Sequence, residues 1–219
     1  MGNNTRKVLI IDDEAVFREA INTALTRCGY VCVAEENPAD GINRLKTETY
    51  DLILLDIMMD PLDGWDTLDL IRTISRSREV PVIMSSAKKL QADEVIRYGD
   101  HVAGFLTKPF QDDDFCAAVS AFFSWSDRVH ETARAAQEQG VPASACDDWV
   151  RLSRQIQAIV RLKEVVSPRC IPDDGSTEEE CLARKMGLID ALIQTRITGR
   201  DDLQARYPAL AVGPDQTSR

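Results

Sequence analysis

The chain has 219 residues, of which 44% are hydrophobic and 28% charged, with a formal net charge of −10. That length suits one or two domains, and the composition supplies a core while setting aside collagen-like, low-complexity and disulfide-scaffold classes. The longest apolar runs, such as Val8-Leu9-Ile10-Ile11 and Leu52-Ile53-Leu54-Leu55, are far shorter than the roughly 18 residues a membrane span needs, so no membrane crossing is expected.

The apolar run behind Arg6 and Lys7 breaks at Asp12 and Asp13, so no secretory leader is expected and the protein is expected in the cytoplasm. Residues 1–123 carry 21 acids and 13 bases, whereas residues 124–219 carry 15 and 13, so the acidity belongs to the first half. Six cysteines (Cys28, Cys32, Cys116, Cys146, Cys170, Cys181) form no CxxC pair, and only His101 and His130 could join them around a metal. In a cytoplasmic chain they read as small buried apolar residues rather than disulfides or zinc ligands.

In chain order, apolar β-branched runs begin at Val8, Val31, Leu52, Val80 and Val102, 21 to 28 residues apart. Each interval holds one helix, which is the pattern of βαβ units, and runs apolar throughout suit strands covered on both faces. Asn37-Pro38 reads as an N-cap with proline at the first helical position, and Gly29 and Gly99 stand where helices should stop. The fold class is therefore α/β: a five-stranded, parallel, doubly wound, flavodoxin-like domain over residues 1–123.

Beyond residue 111 the pattern is helical. Phe115, Val119, Phe122, Ser126, Val129, Ala133 and Ala136 extend the fifth helix to about Gln139, where Gly140-Val141-Pro142 breaks it. Trp149, Leu152, Ile156, Ile159, Lys163 and Val166 mark a second helix, stopped by Ser167-Pro168. After a loop at Pro172-Asp173-Asp174-Gly175, Ser176 or Thr177 can cap a third helix through Glu179 or Glu180, with Leu182, Met186, Ile189, Ile193 and Ile197 as its apolar face. Residues 124–207 thus form an all-α extension for dimerisation or partner docking, and 208–219 a flexible tail.

Ligands of an open parallel sheet bind beyond the carboxyl ends of its strands. There the sequence places Asp12 and Asp13, Asp56, Ser85-Ser86-Ala87, and Lys108-Pro109-Phe110. Three ionised carboxylates repel one another unless a cation joins them, and a hard, oxygen-seeking divalent ion such as Mg²⁺ would leave positions free for a phosphate oxygen. Lys108 and the metal would neutralise an incoming phosphoryl group, Ser86 would donate a hydrogen bond to it, Ala87 would leave it room, and Asp56 would attack as nucleophile.

Residues 5–123 resemble the receiver domain of two-component response regulators. The likeness is carried by Val8-Leu-Ile-Ile-Asp-Asp-Glu14, Asp51-Leu-Ile-Leu-Leu-Asp56, Asp63-Gly64, Pro81-Val-Ile-Met-Ser-Ser-Ala87 and Lys108-Pro-Phe110, five motifs in order at matching separations. The resemblance implies that Asp13 and Asp56 touch Mg²⁺ directly, Asp12 through water, and Met58 through its backbone carbonyl. It also implies Asp56 as phosphoacceptor, Lys108 as its ion-pair partner, a cis Lys108-Pro109 bond, and Ser86 with Phe105 as a switch pair. Two positions depart from the pattern: Asp60 stands where proline is usual, with Pro61 behind it, and Met58 replaces a residue often polar.

The expected function is that of a response regulator: a phosphoryl group passes from a sensor histidine kinase to Asp56 and protein contacts change, without turnover catalysis. A DNA-binding transcription regulator is the alternative. Arg151, Arg154 and Arg161 share a helix face, but Asp147 and Asp148 would meet phosphates and the region lacks net positive charge, so DNA is not the expected partner. His130-Glu131 lacks the surrounding motif of a phosphorylated histidine, and Arg134 stands where a zinc site would need a second histidine.

Overall fold

The computed structural model describes residues 5–110, 112–172 and 175–211, with only the backbone of 112–114. The elements are β1 (Lys7–Ile11), α1 (Ala15–Arg27), β2 (Val31–Glu35), α2 (Pro38–Thr47), β3 (Leu52–Asp56), α3 (Gly64–Thr73), β4 (Val82–Ser86), α4 (Ala92–Tyr98), β5 (Gly104–Thr107), α5 (Asp112–Glu138), α6 (Ala143–Glu164), α7 (Glu178–Arg206) and a 3₁₀ turn, Pro208–Leu210. The five strands form one parallel sheet in the order β2-β1-β3-β4-β5, with helices in the intervening crossovers. The doubly wound architecture expected from the spacing of the apolar runs is the one observed.

β3 and β4 are buried at every residue and β1 at all but Lys7, whereas β2 and β5 are the more exposed edges. The fourth and fifth strands start two residues later than their apolar runs. The Val80 N–H closes a turn onto the Ser77 carbonyl, and the Pro81 carbonyl then accepts from the Ile53 N–H of β3, so the run enters the sheet through a turn. Asn37 caps α2 by accepting from the Asp40 N–H, with Pro38 behind it, as its residue types dictate.

The chain divides into two compact units: residues 1–89 with 101–118, and residues 90–100 with 119–219. The sheet, α1, α2, α3 and the opening of α5 make the first. The second contains α4, the rest of α5, α6 and α7, so the boundary expected after residue 123 falls within one continuous helix.

In the second unit Val129, Ala133 and Ala136 of α5, Ala145, Cys146, Trp149 and Val150 of α6, and Val141 and Leu210 close one apolar core. Gly140, at φ 93°, ends the α5 segment in a backbone region that favours glycine. Thr177 and Glu180 cap α7 reciprocally, which realises one of the two expected capping boxes. Of the apolar face expected on α7, Ile189 is fully buried and Leu182, Met186, Ile193 and Ile197 are partly so. The Leu90 strand-like bridge to Val166, the Lys185–Asp93 ion pair and the two-point Arg196–Asp100 pair join α4 and its flanks to α6 and α7.

Two expectations need correction. Pro208–Leu210 is not frayed: Leu210 is completely buried, because its side chain completes the core formed by α5 and α6. Residues 212–219 of the expected tail, and Asp173 and Asp174 of the expected loop, lie outside the described residues. Truncating Leu210 to alanine should cost about 2–4 kcal/mol in urea unfolding of the second unit; an unchanged midpoint would return this segment to the tail.

The cysteines are the second correction. Cys28 is bonded to Cys116 and Cys170 to Cys181, leaving Cys32 and Cys146 free. Partners 88 residues apart meet only because α1 and α5 are neighbours in the fold, which cysteine spacing cannot reveal.

Candidate phosphoacceptor and metal site

The site follows from strand register. Ile11 pairs with Leu55, so the residues just beyond them, Asp12 and Asp56, emerge side by side. Asp56 pairs with Ser85, and Ser86 with Thr107, so the chain leaving β5 delivers Lys108 to the same edge. Carboxylate oxygens of Asp12, Asp13 and Asp56 can all lie within 4.8 Å of one another; Asp12 and Asp56 are buried and Asp13 is exposed.

Lys108 Nζ lies 2.8 Å from both Asp12 Oδ2 and Asp56 Oδ1, with Glu14 Oε1 at 3.7 Å. Lys108 Nζ therefore bridges the two buried carboxylates, and all three of these atoms are enclosed. Backbone groups hold the other two oxygens: Asp12 Oδ1 accepts from the Glu14 N–H at 3.0 Å and Asp56 Oδ2 from the Met58 N–H at 3.0 Å.

Burial raises the Asp12 and Asp56 carboxyls above their usual range, with Lys108 partly offsetting it. Burial alone would lower the Lys108 ammonium, but contact with both carboxylates outweighs it and the net shift is upward. Three carboxylates against one ammonium leave an excess of two negative charges when all are ionised. A buried, oxygen-rich crevice with that charge excess suits a hard divalent cation.

Supporting residues fix this geometry. Asp63 caps α3 by accepting from the Asp66 N–H, and Gly64 donates its N–H to the Ile57 carbonyl at 2.9 Å. A Cβ on Gly64 would stand 2.2 Å from the Asp56 carbonyl oxygen, so glycine is required for α3 to begin this close to the end of β3. Lys108-Pro109 is cis, as the resemblance implied, and so is Asp60-Pro61.

Sequence reasoning missed two contributors on α1. The Phe17 ring lies 4.7 Å from Lys108 Nζ, and Arg18 donates to the Asp12 carbonyl at 2.7 Å. Both lie within six residues of Asp12, but only the path of α1 shows that they turn back on it. Phe110 then stacks on Phe115, with ring centroids 4.8 Å apart.

The other expected residues sit as follows. Ser86, buried at the end of β4, accepts from the Lys88 N–H through its hydroxyl oxygen at 3.1 Å. Phe105 pairs with Met84 in β5 and is half-buried. The Met58 side chain is 44% exposed although its backbone holds Asp56.

A five-stranded 2-1-3-4-5 sheet whose carboxyl edge gathers three carboxylates around a lysine defines a receiver domain. The chain belongs to the response regulator receiver domain family, which it matches over residues 8–120. It is 30% identical over 149 residues to the transcriptional regulatory protein GltR of Pseudomonas aeruginosa, covering 68% of this chain and 59% of that protein. It is 33% identical to the transcriptional regulatory protein HprR of Escherichia coli, over 52% of this chain and 50% of that one. The chain spans about half the length of the curated relatives it matches. The chemotaxis protein CheY4 of Vibrio cholerae superposes with a TM-score of 0.51 at 19% identity, over 54% of this chain and 98% of that one, and shows the fold. Among the described residues no helix is long and apolar enough to cross a membrane.

Proposed function

We propose that this response regulator accepts a phosphoryl group on Asp56 from a sensor histidine kinase in the cytoplasm, using Mg²⁺, and that the phosphorylated form changes its protein contacts. The convergence of Asp12, Asp13 and Asp56 with Lys108 carries this reading. Asp13 and Asp56 would hold the ion directly, Asp12 through water, and the Met58 carbonyl would complete the set. Bound there, the cation would supply Lewis-acid neutralisation of the phosphoryl oxygens.

The chain's own groups do the rest. The Met58 N–H and Lys108 hold the Asp56 carboxylate in place, and Lys108 balances the charge gained on phosphorylation. Ser86 would turn its hydroxyl to the phosphoryl group and Phe105 would follow, biasing a two-state equilibrium. The product is the modified chain itself, so no turnover enzyme is needed. The test is acetyl phosphate with Mg²⁺: one phosphoryl mass should be gained and a metal chelator should prevent it. Labelling that is absent, or indifferent to chelation, would sink the reading.

The α4 helix lies in the same compact unit as α6 and α7, with ion pairs from Asp93 to Lys185 and from Asp100, just past its end, to Arg196 of α7. Replacing Arg196 with alanine removes a partly buried two-point pair and should raise amide exchange in α4 by about five- to tenfold, read by mass spectrometry. The exposed Met58 side chain offers no polar group to orient a hydrolytic water, so the phosphoryl group should be long-lived. Met58→Asn should shorten its lifetime up to about tenfold; a half-life of seconds in the parent protein that the substitution leaves unchanged would refute this.

DNA binding is the second reading. The transcriptional-regulator names of GltR, HprR and the phosphate regulon protein PhoB of Klebsiella pneumoniae favour it, so the comparisons do not support the expectation against DNA. The α6 face weakens it, since Asp147 and Asp148 are exposed in its opening turns and Arg151 is paired to Asp148 at 2.7 Å. A salt-dependent gel shift of the full chain would establish DNA binding. A beryllofluoride-dependent change in particle mass would instead favour a homodimer through the extension.

A further inference from the structure

The two cysteine pairs differ in access. Cys170 and Cys181 are 5% and 0% exposed, whereas Cys28 is exposed at the end of α1 and Cys116 is half-buried on the opening turns of α5. The Cys28 and Cys116 Cα atoms are 6.5 Å apart, within the roughly 4.4–6.8 Å that a disulfide spans without backbone movement. Cys116 Sγ also lies 3.2 Å from the Ala24 carbonyl oxygen in the last turn of α1. When the bridge is open, that oxygen, which also accepts from the Cys28 N–H, can accept a hydrogen bond from the Cys116 thiol, so the reduced state already has a partner in place.

We propose that Cys28 and Cys116 are a reversible dithiol–disulfide couple on the first unit, exchanging with low-molecular-weight disulfides of the glutathione class. The reaction balances as two exchanges. The Cys28 thiolate attacks the small disulfide, forming a mixed disulfide and releasing one small thiolate. The Cys116 thiolate then displaces the second, so the protein loses two electrons, the small disulfide gains them, and the two thiol protons pass to the departing thiolates. Access selects the pair: reagent can reach Cys28, while Cys170 and Cys181 are enclosed. Burial pushes the free Cys32 and Cys146 thiols up and away from the reactive thiolate.

The consequence is mechanical. The oxidised pair closes a chain segment from α1 to α5 with a sequence separation of 88, and Cys116 stands two residues before the first unit ends at Ala118. Oxidation therefore pins the root of α5, the helix that continues into the second unit, to α1. Neither cysteine belongs to the carboxylate cluster, so the couple is independent of the phosphoacceptor reading.

The test equilibrates the full chain in reduced and oxidised glutathione, quenches it in acid, alkylates it and maps the peptides. The Cys28–Cys116 bridge should follow the thiol-to-disulfide ratio in the folded protein, while Cys170–Cys181 stays unchanged. The bridged form should unfold roughly 5 °C or more above Cys28→Ser or Cys116→Ser, either of which abolishes the response. The proposal is overturned if Cys28 is a free thiol or a glutathione adduct at every ratio, if Cys170–Cys181 responds first, or if the bridged and serine forms unfold together. Acetyl phosphate labelling of the same samples separates the two readings: lost labelling with a titrating bridge defeats the phosphoacceptor alone.

Discussion

Replacing Asp56 with asparagine should abolish labelling by acetyl phosphate and at the same time stabilise the fold. The first effect follows from removing the attacking oxygen: Asp12 is also buried and also touches Lys108, but it belongs to a different strand end. An amide in place of the nucleophile should lower incorporation by more than about 10³-fold. The second effect follows from electrostatics. Burial raises the carboxyls of Asp12 and Asp56, so ionising both inside the site works against folding. With asparagine at 56, Lys108 faces Asp12 as a balanced pair, and stability at neutral pH should rise by on the order of 1 kcal/mol. Full labelling of the variant would defeat the assignment of Asp56. A lowered unfolding midpoint would defeat the electrostatic account while leaving the chemistry intact.

Replacing Lys108 with methionine should have the opposite effect on stability. It strands two buried carboxylates whose ammonium partner sat 2.8 Å from each, and removing one partner of such a pair costs about 3–5 kcal/mol. The pH dependence carries the sign. A carboxyl raised above its ordinary value binds more protons folded than unfolded, so stability is greatest below the unfolded value and is lost as pH rises through the folded one. In the variant both groups lack their counter-charge, so acidification from neutral pH should recover stability, and Mg²⁺ should recover it at neutral pH. Thermal unfolding across pH, with and without Mg²⁺, reads both. A deficit insensitive to pH and to the cation would mean that Lys108 acts through packing on Phe17 instead.

Much of the site was legible in sequence because its residues are tied to strand ends. Asp12 and Asp13 follow β1, Asp56 ends β3, Ser86 ends β4 and Lys108 follows β5, so identifying the strands already placed these side chains at one edge of the sheet. Phe17 and Arg18 were not legible, since their contacts depend on how α1 turns back over the end of β1. Gly64 was visible as a motif residue, but its reason, the 2.2 Å approach of its would-be Cβ to the Asp56 carbonyl oxygen, belongs to the packed structure.

Local residue patterns by themselves determined the five parallel strands, the α5 stop at Gly140, the caps of α2 and α7, and the acidic edge of the first unit. Each is set by neighbours a few residues apart, through backbone hydrogen bonding and apolar periodicity. Tertiary structure alone decided that α4 belongs with α6 and α7, that Leu210 closes a core, and that Cys28 meets Cys116. Those are contacts between chain segments far apart in sequence, and they form only where packed elements bring the segments together.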